Sequence, residues 1–125
     1  MSTKQYLALG NRKKKSKYGN IETIIDGINF SSKLEGSHYK ELRIRERIGE
    51  ITKLALQPIY TLQEGFTDRE KRKHRPITYI ADFCYEEKGG TVVVECKGVK
   101  TDVYKIKKKM FLFRYPDILF IEITK

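Results

Sequence analysis

A pair of apolar segments within residues 77–97 constrains the fold more than any other part of this chain. The first segment reads ITYIADFCYEE, the second reads TVVVECK, and Lys88-Gly89-Gly90 lies between them. Two apolar, β-branched runs joined by a short glycine-containing turn predict a β-hairpin. Asp82 interrupts the first run, whereas Glu95 and Lys97 follow the apolar part of the second. The sequence therefore predicts a buried hairpin that carries two acids and a lysine.

The segments before this hairpin predict a further hairpin and a helix. IETIIDGINF contains Asp26-Gly27, a pair that accepts the positive φ angles of a tight two-residue turn. Ser32 followed by Glu35 has the spacing of a capping box, which predicts that a helix starts here. The helix should run to about Ile48, because Gly49 suits the position just past a helix end.

The rest of the chain supplies further strands and a second helix. Residues 51–63 are strand-like but broken by Pro58, and residues 66–76 read as a polar, basic loop. Apolar residues then recur at intervals of four and three, which predicts one buried face of an amphipathic helix that stops at Pro116. This face consists of Val99, Val103, Ile106, Met110 and Phe113. With DILFIEI as a last strand, the order predicts an α/β domain whose mixed central β-sheet is flanked by helices.

The charge of the chain points to a polyanionic partner. A formal net charge of +10 over 125 residues favours nucleic acid, since the basic residues are clustered. We assign residues 1–18 to a basic, flexible arm and residues 19–125 to a single folded domain. The predicted phosphate contacts are Arg12, Lys13, Lys14, Lys15 and Lys17 of the arm, Arg69, Lys71, Arg72, Lys73 and Arg75 of the loop, and Lys107 of the second helix.

Other features of the sequence indicate the compartment. Residues 1–11 lack the pattern of a signal peptide, and no apolar run approaches the roughly 20 residues of a membrane span. Cys84 and Cys96 do not form a disulfide framework, and strand parity places them on opposite faces, so we expect no bond between them. These features predict a cytoplasmic protein that does not associate with membranes.

The register of the hairpin decides what Asp82 faces. If Gly89-Gly90 is the two-residue loop, Asp82 lies opposite Lys97, and if Lys88-Gly89 is the loop, Asp82 lies opposite Glu95. In both registers the two acids and Lys97 share one face, whereas a three-residue loop would reverse this parity.

Two chemistries fit this group of side chains. Two carboxylates at cross-strand distance can bind one Mg²⁺, and a neighbouring lysine can orient water or offset the charge of a phosphate. This arrangement is typical of metal-assisted hydrolysis of phosphodiesters. The alternative is a cross-strand ion cluster with no catalytic role.

Four further residues are candidates for this site. Glu35 lies near the apolar side of the first helix, where it is either the capping partner of Ser32 or a further metal ligand. Gln57 precedes the proline that breaks a strand, so its amide meets the site or bonds to the backbone. Thr101 and Tyr104 open the second helix, where Thr101 is an N-cap or part of a phosphate site.

Five blocks of the sequence together resemble a small, phage-borne family of domains of unknown function. The blocks are FSSKLEGSHYKEL, LALQPIY, YIADFCY, VVVECKGVKTDVYKIKKKMF and PDILFIEI, and the resemblance covers residues 18–124. That family looks like a compact branch of the PD-(D/E)XK nuclease superfamily, akin to archaeal-type Holliday junction resolvases. The resemblance implies a restriction-endonuclease-like core of helix, three-stranded meander, helix and strand, here with an N-terminal hairpin.

The resemblance also implies roles for individual residues. Asp82 and Glu95 match the metal carboxylates, Lys97 matches the catalytic lysine, Glu35 matches an acid on the first helix, and the backbone carbonyl of Cys96 would be a further metal ligand. Gln57, Thr101 and Tyr104 match positions next to the motif. Ala81 stands where the superfamily motif has proline, which makes the match less specific.

These observations predict a Mg²⁺- or Mn²⁺-dependent DNA endonuclease, and the resemblance implies that it acts on branched DNA as a homodimer. The alternatives are a non-catalytic nucleic-acid-binding module on a nuclease-like fold and an accessory protein that docks an acidic partner.

Overall fold

The computed structural model describes residues 23–124, which form ten strands and two helices. Their order is β1 (Thr23–Ile25), β2 (Ile28–Phe30), α1 (Lys33–Arg47), β3 (Thr52–Leu56), β4 (Ile59–Gln63), β5 (Phe66–Thr67), β6 (Lys73–His74), β7 (Ile77–Ile80), β8 (Phe83–Glu87), β9 (Gly90–Lys97), α2 (Asp102–Arg114) and β10 (Leu119–Thr124). The boundary predicted at residues 18 and 19, and the arm before it, lie outside the described residues.

Local signals set the first hairpin and α1 as the sequence predicts. Asp26 and Gly27 have φ angles of 53° and 76° and form the turn between β1 and β2. The Ser32 hydroxyl accepts the N–H of Glu35 at 3.1 Å, which satisfies one of the unpaired donors at the start of α1. Gly49, with φ of 84°, follows the helix end.

A mixed four-stranded sheet forms the centre of the domain, with strand order β10-β9-β8-β3. β3, β8 and β9 pair antiparallel, whereas β10 pairs parallel to β9, to which α2 connects it. The predicted α/β class with a mixed sheet is therefore confirmed, while its assignment as a restriction-endonuclease-like core stays a prediction.

The segment 77–87, predicted as one strand, is two strands that belong to different sheets. β7 pairs with β4 in a separate two-stranded ladder, and β8 joins the central sheet. The chain changes sheets at Ala81-Asp82, directly across from the break at Gln57-Pro58: Ala81 N–H donates to the Pro58 carbonyl, and Gln57 N–H donates to the Asp82 carbonyl. Because the two chain segments break at the same level, backbone hydrogen bonds continue from the β4–β7 ladder to the central sheet.

The basic segment 66–76 contains a short hairpin instead of a plain loop. β5 pairs with β6, and the Phe66 ring stacks on His74 at 4.7 Å. The Asp68 carboxylate holds the turn, because it accepts the backbone N–H groups of Glu70 and Arg72 and bonds to His74 Nε2 at 2.8 Å.

The apolar face predicted for α2 is wrong except at Met110, which is half-buried and packs against the core. Val103, Ile106 and Phe113 are 62%, 60% and 89% exposed, and Val99 precedes the helix. The helix buries Tyr104 and Phe111 instead, seven residues apart, since aromatic rings on β4, β7 and β10 surround Phe111. We call Val103, Ile106 and Phe113 the α2 ridge.

Two apolar clusters cover the two faces of the central sheet. The cluster beneath α1 includes Leu42, Phe83 and Val94, and the cluster beneath α2 includes Val93 and Phe111. Cys84 lies in the second cluster and Cys96 packs against the first, so the predicted opposite faces are confirmed, and both thiols are free.

Candidate functional site

The turn between β8 and β9 fixes the register of the site. Lys88 and Gly89 have φ angles of 51° and 80°, and Glu87 pairs with Gly90, so the loop is the two-residue turn Lys88-Gly89. The same ladder pairs Phe83 with Val94, which places Asp82 at the level of the residue after Val94. Of the registers predicted, the one that sets Asp82 opposite Glu95 is therefore present.

Asp82 lies where the chain leaves one ladder and enters the next. Its N–H donates to the Val94 carbonyl at 3.2 Å, and its Oδ2 accepts the N–H of Cys96 at 2.7 Å. These two bonds tie the carboxylate to the end of β9. Cys96 thus contributes its amide to the site, while metal binding by its carbonyl stays a prediction.

Glu95 is one of the most buried acids of the described chain, with 4% of its surface exposed. Its Oε1 accepts a hydrogen bond from the hydroxyl of Tyr79, which the sheet switch brings over from β7. Lys97 Nζ lies 3.6 Å from its Oε2. A buried carboxylate needs such partners, because transfer of an unpaired charge out of water is costly.

Glu35 brings a third carboxylate to the site from the first turn of α1. It is 4% exposed, and its Oε1 accepts the Ser31 hydroxyl at 2.9 Å. Its backbone N–H serves the N-cap, but its side-chain charge acts on Asp82 and Glu95 and raises the pKa of both carboxyls. Glu35 is therefore more than the capping partner of Ser32.

The charges of neighbouring acids oppose the ionisation of Asp82 and Glu95. Burial raises the pKa of Asp82 well above its usual value, and the charges of Glu35 and Glu95 raise it further, although part of the Asp82 residue remains accessible. Burial also raises the pKa of Glu95, against the Tyr79 hydrogen bond and Lys97, which lower it. Such a concentration of negative charge favours protons or a cation.

The carboxylates are not arranged as a finished metal site. Within residues 23–124, no group of three or more His, Cys, Asp or Glu side chains has the arrangement of a metal-binding set. Asp82 and Glu95 instead use oxygens to accept hydrogen bonds from Cys96 and Tyr79.

Lys97 is held between Glu95 and an aromatic ring. Its Nζ lies 4.6 Å from the centroid of Tyr104, within the range of a cation–π interaction. Thr101 caps α2 by accepting the Tyr104 N–H at 3.1 Å, which confirms the N-cap alternative for Thr101. Tyr104 therefore lies beside Lys97, while its part in a functional site stays a prediction.

Sequence reasoning missed three residues next to this group, Tyr79, Lys100 and Glu122, the last of which lies near Lys108 of the basic run at residues 105–109. Glu122 accepts a hydrogen bond from the Tyr104 hydroxyl and pairs with Lys100 and Lys108, and these contacts lower its pKa to about 2. A lone acid in the apolar strand LFIEIT was a usable signal, as it was for Glu95. Tyr79 gave none, because the change of sheet is not visible in the sequence.

The other predicted residues lie apart from these contacts. Gln57, with φ of 48°, meets Asp82 through its backbone N–H, so its described role is in the strand break. Arg69, Lys71, Lys73 and Arg75 are exposed on the β5–β6 hairpin, whereas Arg72 pairs with Asp68 and Glu70. Lys107 is half-buried on α2. Arg12, Lys13, Lys14, Lys15 and Lys17 lie outside the described residues.

One known protein family accounts for most of this sequence. The family described as "Protein of unknown function (DUF1064)" matches residues 15–125. The chain belongs to the DUF1064 family. The matched range includes every candidate acid and Lys97 of this DUF1064 protein. No curated protein matches it.

Neither helix of this DUF1064 protein has the length and apolar character of a membrane span, as judged over residues 23–124. Its candidate site combines three desolvated carboxyls with Lys97, and further lysines surround Glu122. Chemically, such a site can bind a cation through the carboxylates and an anion through the lysines.

Proposed function

We propose that this DUF1064 protein is a Mg²⁺- or Mn²⁺-dependent endodeoxyribonuclease that hydrolyses phosphodiester bonds in branched DNA. The observation that carries the proposal is the convergence of Glu35, Asp82 and Glu95 beside Lys97, where the charge of Glu35 raises the pKa of both other carboxyls and the charge of Glu95 raises that of Asp82. Carboxyls that resist ionisation together are stabilised as anions by a divalent cation.

The residues fit a hard divalent cation. Glu35, Asp82 and Glu95 offer carboxylate oxygens, and the Cys96 carbonyl is the fourth donor in the proposal, which together match the oxygen ligands that Mg²⁺ and Mn²⁺ prefer. When bound, the metal supplies neutralisation of charge on the scissile phosphate. Rotation of the Asp82 and Glu95 side chains away from Cys96 and Tyr79 would free their oxygens.

Lys97 and the basic surface complete the proposed activity. Lys97 is 29% exposed on its side chain, so it reaches solvent, where it can orient the attacking water beside a phosphate. The exposed cations of the β5–β6 hairpin, and the arm of residues 12–17, hold the DNA backbone without reading sequence. In this proposal the protein acts in the cytoplasm of a host cell on replication or recombination intermediates of a phage, as the resemblance implies.

A cleavage assay tests the proposal directly. Labelled four-way junction, flap, linear duplex and single-stranded DNA are incubated with Mg²⁺, Mn²⁺ or EDTA. We expect metal-dependent cutting that prefers a branched substrate and is lost in Glu95→Ala and Lys97→Ala. Glu64→Gln, which removes an exposed ion pair with Arg114, is the matched control and should cut normally. Cutting that persists in Glu95→Ala would refute the assignment.

A non-catalytic DNA-binding protein is the second candidate. The observation that favours it is that Asp82 and Glu95 already have hydrogen-bond partners without a metal. In that case binding to the four DNA substrates would survive EDTA and the Glu95→Ala change, and no metal would support cutting.

The homodimer expected from the resemblance is part of the same proposal, and we assign it to the α2 ridge. Val103, Ile106 and Phe113 are exposed at intervals of three and seven, the spacing of a helix–helix seam. Lys105 and Lys109 border the seam and repel like charges, so the dimer should strengthen with salt. Light scattering on wild type and Ile106→Glu tests this: a monomer at every salt concentration would refute it.

A further inference from the structure

Glu122 is the most heavily engaged acid next to the candidate site. It lies on β10 directly beside Glu95, with which it pairs in the parallel register. Its Oε2 accepts the Tyr104 hydroxyl at 2.5 Å and pairs with Lys108 Nζ at 3.3 Å, and its Oε1 pairs with Lys100 Nζ at 2.9 Å. Only 16% of its side-chain surface is exposed.

Tyr104 links this acid to Lys97. Its N–H is capped by Thr101, the residue is 5% exposed, and its hydroxyl is fixed by Glu122. The centroid of this ring lies 4.6 Å from Lys97 Nζ, and the same ammonium contacts Glu95 Oε2 at 3.6 Å. The position of Lys97 thus depends on a ring whose far end is anchored by Glu122.

We propose that Glu122 is a positioning residue, which holds the Tyr104 ring against Lys97 through its bond to the Tyr104 hydroxyl. The expected effect on cleavage rests on the proposed nuclease function, whereas the placement of Lys97 by the Tyr104 ring does not depend on it. Without the hydroxyl anchor, packing alone would hold the buried ring, and the ring would shift enough to weaken its contact with Lys97.

The competing explanation is that Glu122 only neutralises Lys100 and Lys108. Three substitutions separate the two explanations. Tyr104→Phe keeps the ring and both lysine contacts but removes the hydroxyl anchor. Glu122→Gln keeps an acceptor for that hydroxyl but removes the charge that pairs with the lysines. Glu122→Ala removes both.

The first readout is kinetic. We expect Glu122→Ala and Tyr104→Phe each to lower kcat by up to about 10²-fold, with a smaller effect on KM, since a misplaced catalytic group acts on the reacting step. Glu122→Gln should retain most of the activity. The double variant Glu122→Ala/Tyr104→Phe should be no slower than the worse single variant, because both changes remove one interaction.

The second readout does not require cleavage. Because Lys97 Nζ lies over the Tyr104 ring, the NMR signals of the adjacent Lys97 methylene protons, assigned through Lys97→Arg, should be displaced upfield by the ring. The displacement should persist in Glu122→Gln, shrink in Glu122→Ala and Tyr104→Phe, and vanish in Tyr104→Leu. Glu64→Gln, which removes a comparable ion pair elsewhere, should change neither readout.

The outcomes are distinct. If Glu122→Gln is as slow as Glu122→Ala while Tyr104→Phe is normal, Glu122 acts through the lysine charges and the inference is wrong. Unchanged Lys97 signals in a folded Glu122→Ala protein would also overturn it. If wild type cuts no DNA, the proposed function fails, but loss of the upfield displacement in Glu122→Ala and Tyr104→Phe would still support the positioning role.

Discussion

The hydrogen bond from Tyr79 to Glu95 gives a prediction whose size can be worked out. Tyr79→Phe removes one hydroxyl and leaves the ring, which packs against Phe111 and Phe120 with centroids 5.6 and 6.3 Å away. The variant therefore creates little empty space. Its main effect is to take a donor from a carboxylate that is 4% exposed and cannot turn to water for a replacement.

A hydrogen bond to a charged group contributes about 1.5–3 kcal/mol to stability. With an unfolding entropy of about 2.1 cal/mol/K per residue, a loss of this size lowers the Tm of a 125-residue chain by about 6–11 °C. The loss should depend on pH. The bond to Tyr79 favours the charged form of Glu95, whose pKa in the folded protein is raised by burial. As pH falls through that raised pKa, the carboxyl becomes neutral and the loss should shrink toward the roughly 0.5–1.5 kcal/mol of a neutral hydrogen bond.

Urea denaturation followed by circular dichroism, at neutral pH and at several lower pH values without metal, measures this difference, since the chain has no tryptophan. The matched control is Tyr60→Phe, a buried tyrosine whose hydroxyl faces the Cys84 thiol instead of a carboxylate. Tyr60→Phe should lose less stability, with no dependence on acidic pH. Equal losses in the two variants, or a Tyr79→Phe loss that stays constant with pH, would refute the reasoning.

Three further predictions concern the charged groups. Asp82→Asn should raise the Tm of the metal-free protein at neutral pH, because the pKa of Asp82 is raised by burial and like charges. The gain in Tm should disappear as pH falls toward about 4, where Asp in the unfolded chain is also protonated, and a Tm in EDTA lower than that of wild type would contradict the prediction. Glu122→Gln should destabilise the protein by on the order of 1–3 kcal/mol at neutral pH, after allowance for solvent screening. Because the pKa of Glu122 is depressed in the folded protein, this loss should fade between pH 4.5 and about 2 in acid titrations followed by circular dichroism. A loss that persists in full at pH 2 would count against the prediction. Replacing both Lys73 and Arg75 by Ala should lower the slope of log binding constant for DNA against log salt concentration by about 2. Arg72→Ala removes a cation already paired with acids, so it should change this slope less. Fluorescence anisotropy from about 50 to 200 mM salt measures the slopes, and equal slopes in all variants would exclude the β5–β6 hairpin from the DNA interface.

Local chemistry made part of this fold predictable from sequence. The turn at Asp26-Gly27, the cap at Ser32 and the helix end at Gly49 each depend on the backbone of a few neighbouring residues. The shared face of Asp82 and Glu95 follows from the two-residue period of a strand, once the turn has an even number of residues. Which turn was used could not be decided, because Lys88 adopts the positive φ that the sequence favours for glycine.

Contacts between distant segments made the rest unpredictable. The change of sheets at Ala81 depends on a hydrogen bond to Pro58, more than twenty residues earlier in the chain. The orientation of α2 depends on rings around Phe111 that come from three other strands, and these outweigh the regular spacing of the α2 ridge. Tyr79 and Glu122 reach the site only as a result of these long-range arrangements.

The Lys88-Gly89 turn has a consequence for how this family can vary in length. Adding one residue to that turn, and keeping the apolar faces of β9 in place, would slide Glu95 and Lys97 out of level with Asp82. The turn therefore sets the register between β8 and β9, although it lies at the opposite end of the hairpin from the acids. Insertions and deletions among related chains should be rare at residues 88–89 and should instead accumulate at the exposed tip of the β5–β6 hairpin, since the level of Asp82 and Glu95 does not depend on that turn.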